Sequence, residues 1–380
     1  MDTLTHAISG ALVARLVCAR ADARGTAAIT PTVDAGRFSA AWDGRPGALA
    51  PWQAVVVGFV AAAFPDLDSV ARWAGEFAYL RHHRGITHSV PLAPLWALLI
   101  ALVMQRCFGE LRRRRGGWKA LFPIALGALL IHIAGDWITQ FGTMMLAPFS
   151  DARFGLGAMF IIDLAFSGLL LAALVLAAVF PRRRWPAAAG LLAASAWVVL
   201  AWVGKQEAEA AGQRFAAERG ITAQWIDSMP RPASPFNWTV TVFDGERYHV
   251  AHLNTRRAEP LVATPQDHFI RRFFAPYAPA AQAGWQVVPK FGDGPPTWVR
   301  EAWEHESFAT YRWFAQAPAL VSASERRASD GVLERCAVFR DLRFEFPGRE
   351  EAPFRFGVCL RDGEAGARVV KLEDGEEIPA

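Results

Sequence analysis

Long apolar segments fill the first half of the chain, and they restrict its fold more than any other feature. A helix that crosses a membrane needs about 20 predominantly apolar residues. Four segments meet this length, near residues 86–105, 120–138, 157–180 and 186–204. Two shorter segments, residues 4–18 and 49–64, would be further spans or re-entrant helices packed against the others. We therefore predict a mostly α, polytopic domain over residues 1–204 with about six membrane spans.

The second half has the composition of a water-soluble fold. The chain is 53% hydrophobic yet 20% charged, and the two properties separate near residue 204. Residues 205–219 extend the last apolar segment as a charged helix that leaves the membrane. Residues 205–380 are therefore predicted to form a separate soluble domain.

Hairpin and helix patterns indicate that this second domain is α+β. Residues 238–243 and 247–252 flank the turn Asp244-Gly245, which is typical of a β-hairpin. A second hairpin is predicted from residues 332–346 and 353–361, and residues 299–323 are helical in pattern. The second hairpin would place Cys336 nearly opposite Cys359, so that a disulfide could form in an oxidising compartment.

The distribution of basic residues predicts the orientation. With six spans, the connections on one side of the membrane contain 13 Lys and Arg residues, against 4 on the other side. The positive-inside rule places the basic side in the cytoplasm and the C-terminal domain in the periplasm, as expected for a bacterial inner-membrane protein. These basic residues lie between apolar segments, so no nucleic-acid partner is expected. The start Met1-Asp2-Thr3 lacks the basic region of a signal peptide, so the first segment is expected to remain.

Ionisable residues gather at the periplasmic ends of the first four predicted spans. They are Asp2 and His6, Asp66 and Asp68, His82, His83 and His88, and His132 and Asp136. An ionisable side chain in a membrane segment costs several kcal/mol and so requires partners or a function. The pair His132 and Asp136, four residues apart, shares one helix face and could point two ligand atoms at one centre. Imidazole and carboxylate are the ligands of catalytic zinc sites, and the number of candidates would allow more than one divalent ion.

Some of these His and Asp residues could have structural roles and bind no metal. His82 and His83 would point to different sides of a helix, so we expect only one of them to be a ligand. The sequence Pro65-Asp66-Leu67-Asp68 could be a helix stop and cap, although this explains only one of its two carboxylates. Asp163 could orient a ligand or only bond a neighbouring helix.

Four motifs together resemble the YdjM-like family of bacterial inner-membrane proteins, described as metal-dependent hydrolases. The motifs are Met1-Asp2-Thr3-Leu4-Thr5-His6, Phe64-Pro65-Asp66-Leu67-Asp68, His83-Arg84-Gly85-Ile86-Thr87-His88-Ser89 and His132-Ile133-Ala134-Gly135-Asp136. The resemblance covers about residues 1–165. It implies a metal site with the ligands His6, Asp66, Asp68, His83, His88, His132 and Asp136. A more distant similarity to zinc-dependent phospholipase C and P1 nuclease implies phosphoester hydrolysis.

The leading hypothesis is a membrane-bound hydrolase that acts at the periplasmic face on a phosphoester or lipid-linked ester. Asp66 and Asp68 could serve as catalytic carboxylates, and Arg84 could hold an anionic substrate group or stabilise its loop. An ion or proton transporter is disfavoured because the polar residues cluster at one end of the spans. A regulatory protein with a structural metal remains open, since structural and catalytic sites use the same residue types.

Overall fold

A computed structural model describes residues 1–18, 49–113, 115–327, 331–349, 351–364, 366–373 and 376–379. Most of the predicted cytoplasmic connection, residues 19–50, lies outside these ranges. The chain divides into two compact units. The first comprises Met1–Ser69 and His82–Trp202, and the second comprises Val70–Arg81 and Val203–Ala380. Residues 70–81, which the sequence analysis includes in the membrane domain, thus group with the second unit.

Eight α-helices begin in the first 200 residues of the described chain. They are α1 (Thr3–Val17), α2 (Pro51–Ala63), α3 (Glu76–His82), α4 (Ala93–Cys107), α5 (Gly109–Arg112), α6 (Trp118–Trp137), α7 (Leu164–Val179) and α8 (Trp185–Arg219). Two 3₁₀ segments interrupt this series, Phe64–Ala74 after α2 and Ile86–His88 before α4. The last helix, α8, continues through the charged residues 205–219, as predicted.

Three helices of the described residues are long and apolar enough to cross a membrane: Pro51–Ala74, Trp118–Trp137 and Trp185–Arg219. Glu76–His88 and Ala93–Cys107 would add a fourth as one broken span, but they are bent by 79°. The predicted count of six spans is therefore not supported. The apolar helices α1 and α7 have 15 and 16 residues, and at 1.5 Å per residue they fall short of a ~30 Å hydrocarbon core.

Helix α1 packs closely against α2 where two glycines meet. A Cβ atom added at Gly10 would lie 2.3 Å from the Gly58 carbonyl oxygen and 2.4 Å from the Cβ of Ala62. Small residues allow such close backbone approach between apolar helices. This contact fixes the position of α1 beside α2 and α6, whose buried residues form one apolar core that includes Ala14, Ala61 and Leu129.

The second unit contains two five-stranded sheets. Their strands are β1 (Trp225–Arg231), β2 (Ser234–Phe243), β3 (Arg247–Asn254), β4 (Ala278–Pro279), β5 (Gln286–Pro289), β6 (Pro318–Arg327), β7 (Leu333–Asp341), β8 (Phe356–Arg361), β9 (Ala367–Glu373) and β10 (Glu376–Pro379). The first sheet has the order β1-β2-β3-β4, with β5 also paired to β3, and the second has the order β10-β9-β8-β7-β6. Short helices α9 (Phe269–Phe274), α10 (Thr297–Glu304) and α11 (Ala309–Phe314) lie between the strands in the chain.

The predicted hairpins are present in the structure. Strands β2 and β3 pair antiparallel around Asp244-Gly245. Strands β7 and β8 also pair antiparallel, with Cys336 opposite Cys359, and the two cysteines form a disulfide as predicted. The helical prediction for residues 299–323 is wrong at its end, because Pro318 begins strand β6, which pairs with β7 along its length except for an irregularity between Leu320 and Ser322. Tertiary pairing thus overrides local helical pattern there.

Candidate metal centre

Four predicted ligands from three segments converge in the first unit. Asp66, His88, His132 and Asp136 each offer one ligand atom, and these atoms all lie within 4.8 Å of one another. Asp66 and His88 come from the 3₁₀ segments, whereas His132 and Asp136 lie one turn apart on α6. We call these four residues the metal centre.

The ligand atoms face a common point. His88 Nε2 lies 3.0 Å from His132 Nε2 and 3.1 Å from Asp136 Oδ2. Asp66 Oδ1 is 3.8 Å from His88 Nε2 and 3.7 Å from His132 Nε2. Asp136 Oδ2 is buried and, with both imidazoles protonated on Nδ1, accepts no hydrogen bond. Leaving such an atom unsatisfied is costly. A cation among these four atoms would satisfy it, so the residues fit a divalent metal.

The second nitrogen of each imidazole has a hydrogen-bond partner. His132 Nδ1 donates to the carbonyl oxygen of Ala62. His88 Nδ1 lies 3.0 Å from Thr87 Oγ1 and 3.2 Å from Asp68 Oδ2. Donation through Nδ1 leaves the Nε2 lone pair of each ring directed at the centre, the arrangement that carboxylate and carbonyl partners give to metal-bound histidines.

Positively polarised groups surround the other oxygen of Asp136. Arg84 Nη2 lies 2.9 Å and His6 Nε2 lies 3.0 Å from Asp136 Oδ1, which also pairs with the Met1 amino group. The His6 ring stacks on His132, with 3.7 Å between ring centroids. His6 therefore contacts two members of the centre without being one of the four converging residues.

Asp68 anchors the loop that carries His88. Its Oδ2 accepts hydrogen bonds from the backbone N–H of Arg84 (2.9 Å) and from Thr87 Oγ1 (3.0 Å), and its Oδ1 lies 2.7 Å from His83 Nδ1. Asp68 thus contacts the ligand His88 directly, and it links His83 to the centre. Arg84 adopts φ +60°, a left-handed conformation uncommon for a residue with a side chain, so several contacts must hold this loop.

Arg84 is buried behind Asp136. Its side chain is 2% exposed, and its Nη1 donates to Thr139 Oγ1 at 2.9 Å. These contacts support the alternative in which Arg84 stabilises its loop and the Asp136 carboxylate. Its predicted contact with a substrate stays a prediction.

Asp66 provides the accessible side of the centre. The side chains of His88, His132 and Asp136 are fully buried, whereas that of Asp66 is 13% exposed. Thr3 Oγ1 donates to Asp66 Oδ2 at 2.6 Å and leaves Oδ1 for the centre. A molecule that reaches the centre from solvent would therefore pass Asp66.

The remaining candidates have other contacts. Asp2 caps α1 by accepting from Thr5 N, and Asp163 caps α7 by accepting from Phe166 N. Asp163 also accepts from Trp197 Nε1 at 3.2 Å, which is the interhelical bond considered above. His82 is exposed at the end of α3. A second group, Glu334 with Cys336 and Cys359, could hold a metal only without the disulfide, since the thiolates are the ligands.

A family model identifies the family to which the chain belongs. The family model described as YdjM inner membrane protein matches residues 1–208, more than half of the 380 residues. The chain belongs to this family. The resemblance inferred from the four motifs is thereby confirmed, and YdjM membership together with the apolar helices supports a membrane location. All four residues of the metal centre lie within the YdjM region.

One relative of this YdjM protein is the uncharacterized protein YfhP of Bacillus subtilis (strain 168). It is 27% identical over 158 residues, which cover 41% of the present chain and 40% of YfhP. The chain thus matches less than half the length of that relative. No solved structure matches the chain.

Several supporting residues were not predicted from the sequence. Thr3 and Thr87 hold Asp66 and Asp68, and the Ala62 carbonyl orients His132. Thr87 directly precedes the predicted ligand His88, and this position could have indicated a supporting role. The contacts of Thr3 and Ala62 join residues 63 and 70 positions apart, which no local spacing rule could indicate.

Proposed function

We propose that this YdjM protein is a membrane-embedded, metal-dependent hydrolase that acts on a phosphoester or lipid-linked ester. The single observation that carries the proposal is the unsatisfied Asp136 Oδ2, buried beside two imidazole Nε2 atoms and the accessible carboxylate of Asp66. His88, His132, Asp66 and Asp136 would hold a divalent ion, and zinc suits this donor set. The ion would supply Lewis acidity and activate water.

The protein's own residues prepare the centre for this chemistry. Asp68 and the Ala62 carbonyl orient the two imidazole rings so that both Nε2 atoms point at the centre. Arg84 pairs with Asp136 Oδ1 and balances its charge, and His6 Nε2 lies within hydrogen-bond distance of the same oxygen. Asp66 lies where a substrate and water would enter, so it is the carboxylate best placed to exchange a proton with them. A second ion would need other ligands, for which His83 and Asp68 are the nearest candidates.

We also propose that the site and the second unit face the periplasm. The disulfide between Cys336 and Cys359 favours an oxidising compartment for the second unit. The excess of Lys and Arg in residues 106–119 favours the cytoplasm for that connection. The basic residues 182–184 lie on the same side only if α7, with 16 residues, also crosses the membrane.

Metal analysis of the detergent-purified protein tests whether the proposed centre binds a metal ion. The comparison is between wild type, a His132→Ala, Asp136→Ala double variant, and His82→Ala as the matched control, all purified without a histidine tag. We expect bound metal in wild type and in His82→Ala, and at least a tenfold loss in the double variant. Equal metal in all three proteins, or none in wild type, would refute the metal centre.

Turnover separates a catalytic from a structural metal. The metal-loaded protein is assayed in detergent with bis(p-nitrophenyl) phosphate and with a p-nitrophenyl carboxylic ester. Hydrolysis that is lost in the double variant and retained in His82→Ala would support the enzyme. Stoichiometric metal without turnover of either probe would favour a structural metal, a reading that the complete burial of His88, His132 and Asp136 makes the second candidate.

A further inference from the structure

An apolar cavity of about 380 Å³ lies beside the metal centre in the first unit. Residues of α1, α6, α7 and α8 line it, among them Phe166, Leu170, Leu191 and Ala194. This volume falls in the ~300–1,000 Å³ range of small-molecule pockets. The cavity thus has the size of a ligand site, and its lining restricts the class of ligand.

The serine hydroxyls of the cavity wall already donate hydrogen bonds. Ser9 Oγ donates to the His6 carbonyl at 2.7 Å, and Ser195 Oγ donates to the Leu191 carbonyl at 2.9 Å. His6 Nε2 lies 3.0 Å from Asp136 Oδ1, on the side of the metal centre. Stable water requires two to four polar partners, and a polar ligand would lose its hydration without replacement. An apolar occupant therefore fits most of this wall.

The cavity communicates with the outer surface of α8. Val199 lines it and is 60% exposed, and the neighbouring Leu192 is 72% exposed. Both residues lie in the apolar part of a candidate membrane span, so hydrocarbon would surround this surface in a membrane. One hydrocarbon chain fits both the volume and the surroundings.

We infer that this cavity binds one hydrocarbon chain of a membrane lipid. The hydrocarbon chain would lie against His6 and Gly135, which form the wall shared with the metal centre. A Cβ added at Gly135 would come within 3.0 Å of His6 Cε1, so the glycine gives this ring its position. The bound chain would support the same ring from the cavity side. The inference is independent of hydrolysis, because it concerns a lipid site and not the reaction.

Native mass spectrometry of the full-length, delipidated protein in detergent tests the site. The probes are oleic acid, which supplies the chain alone, and 1-palmitoyl-2-oleoyl-phosphatidylglycerol, which adds a headgroup. Ala194→Phe places a ring in the cavity, and Leu192→Phe adds the same ring on the exposed face of α8. We expect one tightly held copy of either probe in wild type and Leu192→Phe, and at least tenfold weaker binding in Ala194→Phe. If the phospholipid binds and oleic acid does not, recognition through the hydrocarbon chain is wrong.

Two outcomes would overturn the site itself: no retained lipid in wild type, or equal retention in Ala194→Phe and wild type. If Ala194→Phe fails to fold, Ser195→Leu at the cavity rim replaces it. A diazirine-bearing fatty acid gives a second measurement on wild type alone. Adducts on Ala194, Leu170 or Gly135 would support the cavity, whereas adducts confined to exposed residues such as Leu192 would reject it.

Discussion

Replacing Gly10 with alanine should destabilise the first unit and disturb the metal centre together. The added Cβ would lie 2.4 Å from the Cβ of Ala62, although favourable carbon contacts are about 3.5–4.0 Å. Helices α1 and α2 must therefore separate by roughly 1 Å at this crossing. Overpacking of this kind costs about 1–3 kcal/mol, which corresponds to a fall in Tm of roughly 2–12 °C for a unit of this size.

The metal centre should respond because both helices support it. Ala62 carries the carbonyl that orients His132, and His6 lies one turn before Gly10 on α1. Separation of the helices lengthens the His132 contact and moves His6 away from Asp136. We therefore expect weaker metal binding in Gly10→Ala, in addition to the lower Tm.

Gly168→Ala is the matched control. Gly168 lies within α7, and an added Cβ would meet nothing within 4 Å. Alanine is the better helix former, so this variant should keep or slightly raise the Tm. Thermal unfolding in detergent and competition with a metal chelator measure the two effects. Equal Tm and equal metal affinity for Gly10→Ala and Gly168→Ala would refute the close α1–α2 contact and its link to the centre.

Three further predictions follow from the contacts of individual residues. Asp68→Asn should weaken metal binding about 10–100-fold, because Asp68 supports His88; unchanged affinity in chelator competition would contradict this role. Replacing Cys336 and Cys359 with serine opens a loop of 23 residues and should destabilise the second unit by about 3 kcal/mol, as measured by denaturant unfolding; an unchanged midpoint would count against it. Burial next to Arg231 lowers the pKa of His252 from 6.5 to about 4, so the unfolded chain binds more protons between these values. Stability should then fall by roughly 3 kcal/mol as the pH drops from 6.5 to 4, and His252→Asn should remove this component of the pH profile.

The positions of the ligands could be predicted because they depend on local rules. His132 and Asp136 share a helix face by their four-residue spacing. The ends of the apolar segments predict Asp66 and His88 near them, without any side-chain contact, although the six-span topology used for that step is not supported. The sequence does not distinguish the four converging residues from His6, Asp68 and His83. Both groups consist of His and Asp residues, and only the three-dimensional contacts distinguish one group from the other.

The span count could not be predicted because apolar length overestimates helix length. The apolar stretch 157–180 contains only the 16-residue helix α7, since Asp163 caps its start. The stretch 86–105 begins with the 3₁₀ turn Ile86–His88, followed by a sharp change of direction before α4. Asp163 shortens its segment by capping α7. His88 lies in a 3₁₀ turn, outside helix α4. In the second unit, strand β6 pairs with β7, and such pairing with a separate segment cannot be read from the local pattern of residues 318–323.

Stability alone will not reveal whether the metal acts in catalysis. A metal that binds only the folded protein stabilises it by mass action in either case, so its removal should lower the Tm of both an enzyme and a structural protein. The difference lies in access to the fourth ligand. Asp66 is the exposed member of the centre, and Thr3 occupies its other oxygen. A structural site needs all ligands closed, whereas a hydrolytic site must exchange one position with water. Turnover and solvent exchange at the Asp66 side, measured on metal-loaded protein, are therefore the observations that separate the two.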